Sequence, residues 1–432
     1  MQRDIYRELV EWRKSRRRKP LIMKGARQVG KTWILKEFGG KEYRNLVYLN
    51  FEEDSQLKGF FRDSKDPGRI LKNLSIYKKQ EINPETTLIL FDEIQECNSA
   101  LTGLKYFHEK SNQYHIVAAG SLLGVKTSQP GGFPVGQVNF LHMHPLTFME
   151  FLGAVGEPGL RTLIEETSDF TPYPEPLHHK LIDLLRAYLF VGGMPEAVAV
   201  YADSGDLNEV RKVHTEINNS YVLDFAKHAP AVDIPKLTLI WSSIPAHLGK
   251  ENKKFMFSAL KKSARAREYE AAIVWLEDAG LIHRSHAVSA GKLPLGAYRQ
   301  SGIYKVYALD TGLLGALANL PAEVVVRTDE MFHEYKGAMT ENYVAQQWSA
   351  RGAGDLYYWS SPGAAELDFI CEFKGAVHPL EVKSGFNPRS KSLKFYDRKY
   401  NPKTLCRTNL LNLKADGKIR NYPLYAVCRF PE

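Results

Sequence analysis

The chain has 432 residues, 44% of them hydrophobic and 25% charged, with a formal net charge of +9. That length suits roughly three domains with cores of their own, and the balance excludes disordered and fibrous classes. The positive charge suits a polyanionic partner without requiring one. No run of about 18 apolar residues is present to cross a bilayer. Charges interrupt Met1-Gln2-Arg3-Asp4-Ile5-Tyr6 where a signal peptide needs an apolar core. Cys97, Cys371, Cys406 and Cys428 show neither a C-x-x-C pair nor metal-ligand spacing. A reducing cytoplasm is the expected compartment.

Residues 1–19 read as an amphipathic helix (Ile5, Leu9, Trp12) ending in Arg13, Lys14, Arg16, Arg17, Arg18 and Lys19. Cations at a helix C-terminus suit its dipole, so this is a solvated helix end, with a phosphate-facing patch as the sharper alternative. Next, Leu21-Ile22-Met23-Lys24 is an apolar strand, and an amphipathic helix opens at Lys31. Between them Gly25, Arg27, Gln28, Val29, Gly30, Lys31 and Thr32, followed by Trp33, match G-x-x-x-x-G-K-[ST] without a mismatch. A triphosphate needs several backbone N–H groups aimed at it, hence glycines and the positive end of a helix. Lys31 would reach the β- and γ-phosphates, and the Thr32 hydroxyl would hold Mg²⁺. ATP and Mg²⁺ are therefore the expected cofactors.

Further apolar strands follow at 45–51, 87–91 and 115–119. The second ends in Asp92-Glu93, where Asp92 would hold Mg²⁺ and Glu93 would polarise the attacking water. The last runs into Gly120-Ser121, with Ser121 placed to sense the γ-phosphate. Apolar strands alternating with helices predict an α/β fold, a P-loop NTPase parallel sheet covered on both faces, with the ligand at the strands' carboxyl ends.

Together with His144-Pro145-Leu146-Thr147-Phe148-Met149-Glu150-Phe151-Leu152, these motifs resemble the AAA-type ATPases of bacteria and archaea that carry a C-terminal domain of uncharacterised function and are similar to archaeal ATPases. The resemblance covers essentially the whole chain. It implies an AAA-like core at 1–155, a helical lid at 156–232, a winged helix at 233–325 and a small α/β, restriction-endonuclease-like domain at 326–432. In many relatives the loop before P-L-[ST]-F carries Gly-Arg. Here it reads Phe133-Pro134-Val135-Gly136-Gln137, and no arginine occurs between Ser111 and Leu160. An arginine finger is worth orders of magnitude in turnover, so slow, switch-like hydrolysis is expected unless the lid or another chain supplies one.

Residues 153–178 are turn- and proline-rich, a linker into the lid. Val191-Gly192-Gly193-Met194-Pro195 then resembles the lid motif of related ATPases, whose proline packs near adenine. A plain helix stop with a Pro restart is the alternative. Helices predicted at Leu237–His247, Lys254–Ala264 and Glu268–Ala279, then strands at Leu281–Ala287 and Ile303–Leu309, have the order of a winged helix. The acids Glu268, Glu270, Glu277 and Asp278 weigh against DNA reading by the third helix.

At the C-terminus, Glu341 lies on a helix over 332–350, Asp368 on a strand, and Glu381-Val382-Lys383 ends another apolar strand. This spacing resembles the PD-(D/E)XK nuclease core, though Leu367 stands where a proline is usual. Glu341, Asp368, Glu381 and the Val382 carbonyl would offer hard oxygens to Mg²⁺, and Lys383 would orient or deprotonate the attacking water. The reading is an ATPase coupled to a nuclease-like domain acting on or near DNA. The alternative is an ATP-dependent switch that binds a protein partner and cuts nothing; self-assembly stays open.

Overall fold

A computed structural model of the chain describes residues 1–120, 134, 136–250, 253–261, 265–321, 333–352, 354–361, 365–386 and 390–431, with only the backbone at 333–335. They form two compact units, one of residues 2–144 with 278–280, the other of 145–277 and 281–432.

The first unit is a parallel sheet in the order β2-β3-β4-β1-β5. Its strands are β1 (Leu21–Lys24), β2 (Asn45–Asn50), β3 (Thr87–Asp92), β4 (His115–Ala119) and β5 (Asn139–His142). Every residue of β3 and β4 is buried, as a sheet covered on both faces requires. Val47, Leu49, Phe51, Ile89 and Phe91 pack with Leu57, Phe61, Ile70, Leu74 and Leu104 of the covering helices. Strand β1 sits between β4 and β5, so the loop leaving it opens where connections diverge to either side, the usual ligand position in such sheets. Strand β5 escaped the sequence reading. It has four residues of alternating burial and is held by its pairing with β1. The N-terminal helix spans Ile5–Lys14 with Ile5, Leu9 and Trp12 buried, as expected. Its basic run divides: Arg13 pairs with Glu42 at 2.8 Å and Arg18 donates to the Asn112 carbonyl, while Lys14, Arg16 and Arg17 are exposed.

The second unit packs helices around a mixed sheet in the order β12-β13-β11-β10-β9-β8-β6-β7. These strands are β6 (Ile282–Val288), β7 (Arg299–Ala308), β8 (Leu356–Ser361), β9 (Ala365–Phe373), β10 (Ala376–Val382), β11 (Leu405–Asn409), β12 (Lys414–Asp416) and β13 (Ile419–Pro423). The β6–β7 hairpin, expected as a wing, pairs through β6 in parallel with β8, register Ser285↔Leu356. The expected boundary at 325/326 thus falls between two strands of one sheet. Two local expectations also change. The turn-rich stretch 153–178 contains the helix Pro158–Glu166, which buries Leu160 and Ile164. The helix expected at Lys254–Ala264 is, among its described residues, a single 3₁₀ turn, Phe257–Ala259. Tertiary contacts outweigh local propensity there: the Phe255 N–H donates to the Tyr304 carbonyl at 2.8 Å, and its ring stacks on His247 at 4.3 Å. Among the described residues no helix is long and apolar enough to cross a membrane.

The Gly192–Pro195 turn is anchored in this unit by Asp310, whose Oδ2 accepts the Gly193 N–H at 2.6 Å and a Gln346 amide N–H at 3.0 Å. Burial pushes the Asp310 carboxyl up to about 6 against these donors. A folded-state pKa above the unfolded one favours folding at low pH, and that contribution fades as pH rises through about 6. Relative to Asp310→Asn, the native chain should therefore lose up to about 3 kcal/mol of stability between pH 4 and 7. Urea midpoints of both proteins across that range check it, and a constant difference would remove Asp310 as the titrating group.

Candidate functional site

The loop at 25–30 leaves β1 and enters the helix Lys31–Glu42. Three of its residues have positive φ: Gly25 at 146°, Gln28 at 63° and Gly30 at 94°. A Cβ at Gly25 would strike the Met143 carbonyl oxygen, so the close approach of the two backbones requires glycine. The Val29 carbonyl accepts from Arg3 Nη1 at 3.0 Å. Lys31 is buried, and its Nζ donates to the carbonyls of Gly25 at 2.9 Å and Ala26 at 2.7 Å. Burial lowers its pKa to about 8, against the raising influence of Glu93 and Asp92. From the helix's first turn, Thr32 Oγ1 donates to Asp92 Oδ2 at 2.9 Å, and the Tyr48 hydroxyl donates to the same oxygen at 2.9 Å. Glu93 follows with φ 48°, half-buried, its carboxylate accepting from Gln95 Nε2. A hydroxyl and a carboxylate oxygen side by side at a helix N-terminus are a donor pair that suits Mg²⁺ alongside phosphate oxygens and water.

The second unit holds a cluster of charges. Glu341, buried on the helix His333–Ala350, accepts from Lys253 Nζ and, at 3.2 Å, from the Tyr307 hydroxyl. Lys305, fully buried on β7, has its ammonium 2.7 Å from Glu366 and 3.6 Å from Glu341. Asp368 Oδ2 accepts the Val382 N–H at 2.8 Å. At the end of β10, Glu381 pairs with Lys383 at 2.8 Å and accepts from the Ser390 hydroxyl. Burial and the Glu341 charge push the Asp368 carboxyl up to about 7, whereas burial of Glu341 is outweighed by Lys305 and Lys253, which bring it down to about 2. Among the described residues no three Asp, Glu, His or Cys side chains converge as a metal-binding group. Glu341 and Asp368 lie side by side, and Glu381, the third expected ligand, does not complete a group of three with them among the described residues. Glu381 is turned to Lys383 and Ser390, and cations already stand on Glu341 and Glu366, so Mg²⁺ does not fit the arrangement as it stands.

Residues 17–152 match the family described as an AAA domain. This segment is an AAA-type P-loop domain. Residues 182–324 and 336–426 each match a domain of unknown function, DUF8612 and DUF4143 respectively. No curated protein matches the chain. Among solved structures, the Walker-type ATPase PABY2304 of Pyrococcus abyssi is 15% identical over 72% of this chain and 94% of its own, with a TM-score of 0.45. The ORC1 protein of Aeropyrum pernix, solved in complex with DNA, is 15% identical over 74% and 93%, with a TM-score of 0.30. AMPPCP-bound DnaA from Aquifex aeolicus is 12% identical over 63% and 85%, with a TM-score of 0.28. At TM-scores this low none of the three carries weight for what this chain does.

In the AAA-type domain the motif residues from Gly25 to Trp33 share one loop and helix start, with Trp33 49% exposed and Gln28 exposed, and Asp92 and Glu93 face them. Ser121 lies outside the described residues. Pro195 opens the helix Pro195–Ser204 in the second unit and is half-buried. Tyr48 and Asn50 were missed. Their signal was a polar residue recurring in an otherwise apolar strand, and register places Asn50 beside Asp92. Lys253, Lys305, Glu366 and Ser390 carry no motif and were missed altogether.

Proposed function

We propose that the chain is a Mg²⁺-dependent ATP hydrolase of a slow, switch-like kind, coupled to a nuclease-like site that acts on or near DNA. The observation that supports the first half is the Thr32–Asp92 hydrogen bond beside a buried Lys31. Backbone N–H groups of Gly25 to Trp33 would grip the phosphates, and Lys31 would exchange two loop carbonyls for phosphate oxygens. Thr32 and Asp92 would hold Mg²⁺, which when bound neutralises developing phosphate charge. Glu93 would take the proton of the attacking water, and Ser121 would sense the terminal phosphate. The arginine-free stretch from Ser111 to Leu160 supports low turnover. Glu93→Gln should lower phosphate release by about 10²-fold and leave MgATP affinity within about threefold by calorimetry. Unchanged turnover would remove Glu93 as the base.

In the second unit Asp368, Glu381 and Lys383 keep the order of a nuclease-like site, with Glu341 on the neighbouring helix. The winged-helix reading is weakened as a DNA reader, because Arg284 is bound to Glu270 and Glu277 rather than free for phosphate. The second reading, a switch that binds a protein and cuts nothing, draws on the lysines already balancing the carboxylates. Plasmid DNA with Mg²⁺ or Mn²⁺ separates the two. Nicking that Lys383→Ala abolishes supports the nuclease, and plasmid intact under every condition supports the switch.

A further inference from the structure

The charges around Glu341 nearly cancel. Three carboxylates, Glu341, Glu366 and Asp368, face two ammonium groups, Lys253 and Lys305. Divalent cations are held by carboxylates whose charge is otherwise uncompensated, so this cluster offers little attraction to one.

The two lysines are not equivalent. Lys305 projects from β7, is fully buried, and lies between Glu366, Glu341 and the Tyr358 ring, whose centroid is 4.9 Å from its Nζ. It cannot leave without opening the sheet. Lys253 comes from the connection between the helix Ile234–Leu248 and the 3₁₀ turn Phe257–Ala259, and its side chain keeps 18% of its surface in solvent. The anchor of that connection is Phe255, two residues on. Lys253 can therefore swing out while the backbone stays fixed. Its ammonium stands beside Gly337, one turn before Glu341, 3.9 Å from where a Cβ on that glycine would lie.

We infer that Lys253 is a built-in competitor of a divalent cation for Glu341, so that the cluster is closed to metal while this ammonium is in place and open once it is withdrawn. The inference rests on the nuclease-like reading of Glu341 and Asp368. It accounts for a carboxylate constellation with metal-site ordering that nonetheless fails to present a metal-binding group.

The test is calorimetric titration of the full, nucleotide-free chain with Mn²⁺. Five forms are compared: native, Asp368→Asn, Lys253→Gln, Lys253→Arg, and Lys253→Gln combined with Asp368→Asn. Lys253→Gln should bind one Mn²⁺ at least about tenfold more tightly than the native chain. Lys253→Arg, which keeps the cation, should match the native chain, and the added Asp368→Asn should abolish the gain. Should Lys253→Gln fail to fold, Lys253→Met keeps the apolar stem and carries the same expectation. Equal, Asp368-dependent affinity in the native and Lys253→Gln forms would overturn the competitor role and leave the metal reading standing. Absence of Asp368-dependent Mn²⁺ binding from every form would overturn both.

Discussion

Lys31→Ala should abolish MgATP binding and lower phosphate release by about 10³-fold or more, the scale of removing a charge aimed at transferring phosphate. The side chain is buried in the loop, with the Arg27 charge close enough to act on it. Its ammonium now rests on the Gly25 and Ala26 carbonyls at 2.9 and 2.7 Å. The ligand-free fold should tolerate the change. Burial already disfavours the charged form of Lys31, and the loop keeps its shape through Gly25 against Met143 and Arg3 on Val29. An unfolding midpoint within about 1 kcal/mol of native, with no heat on MgATP titration, is the expected pair of results. Native-like heat would remove the lysine from the phosphate site.

Gly193→Ala should destabilise the second unit by roughly 4 kcal/mol, near the upper end of single-site effects. A Cβ there would meet the Leu146 carbonyl oxygen and lie 2.7 Å from the Leu146 nitrogen, both backbone atoms that cannot rotate away. The same shift would break two bonds at once: the Leu146 N–H to the Gly193 carbonyl at 2.6 Å, and the Gly193 N–H to Asp310. Displaced from Gly193, Asp310 would be a buried carboxylate short of a donor, which is itself costly. Urea midpoints measure the loss. Gly205→Ala, where a Cβ would meet nothing within 4 Å although φ is 67°, should cost clearly less and serves as the comparison.

The phosphate loop was legible because its physics is local. Every group needed to cradle an anion sits within one contiguous stretch from Gly25 to Thr32, and only Asp92 and Glu93 come from elsewhere, marked by the apolar strand they terminate. The expected strands at 87–91 and 115–119 likewise announced themselves as runs buried on both faces, while the strand at 45–51 buries only Val47, Leu49 and Phe51. What failed to show was whatever depends on a distant partner. Strand β5 exists because β1 offers it an edge. Residues 254–261 have helical composition, yet Phe255 is pinned to Tyr304 and His247. Glu381 and Lys383 were read from strand alternation, and Asp368 from its spacing to them. The lysines that neutralise their neighbourhood arrive from residues 253 and 305, with no spacing rule to connect them.

The parallel pairing of β6 with β8 has a consequence for where this chain can be cut. Strand β6 lies inside the segment that matches one family, and β8 inside the segment that matches the other. Separating the two would strip hydrogen-bond partners from Ser285–Val288 and Leu356–Trp359 and leave two sticky edges in place of one continuous ladder. Fragments divided there should precipitate unless expressed together. In inheritance, too, the two segments would have to travel as a single cassette, since neither carries a closed set of strands alone.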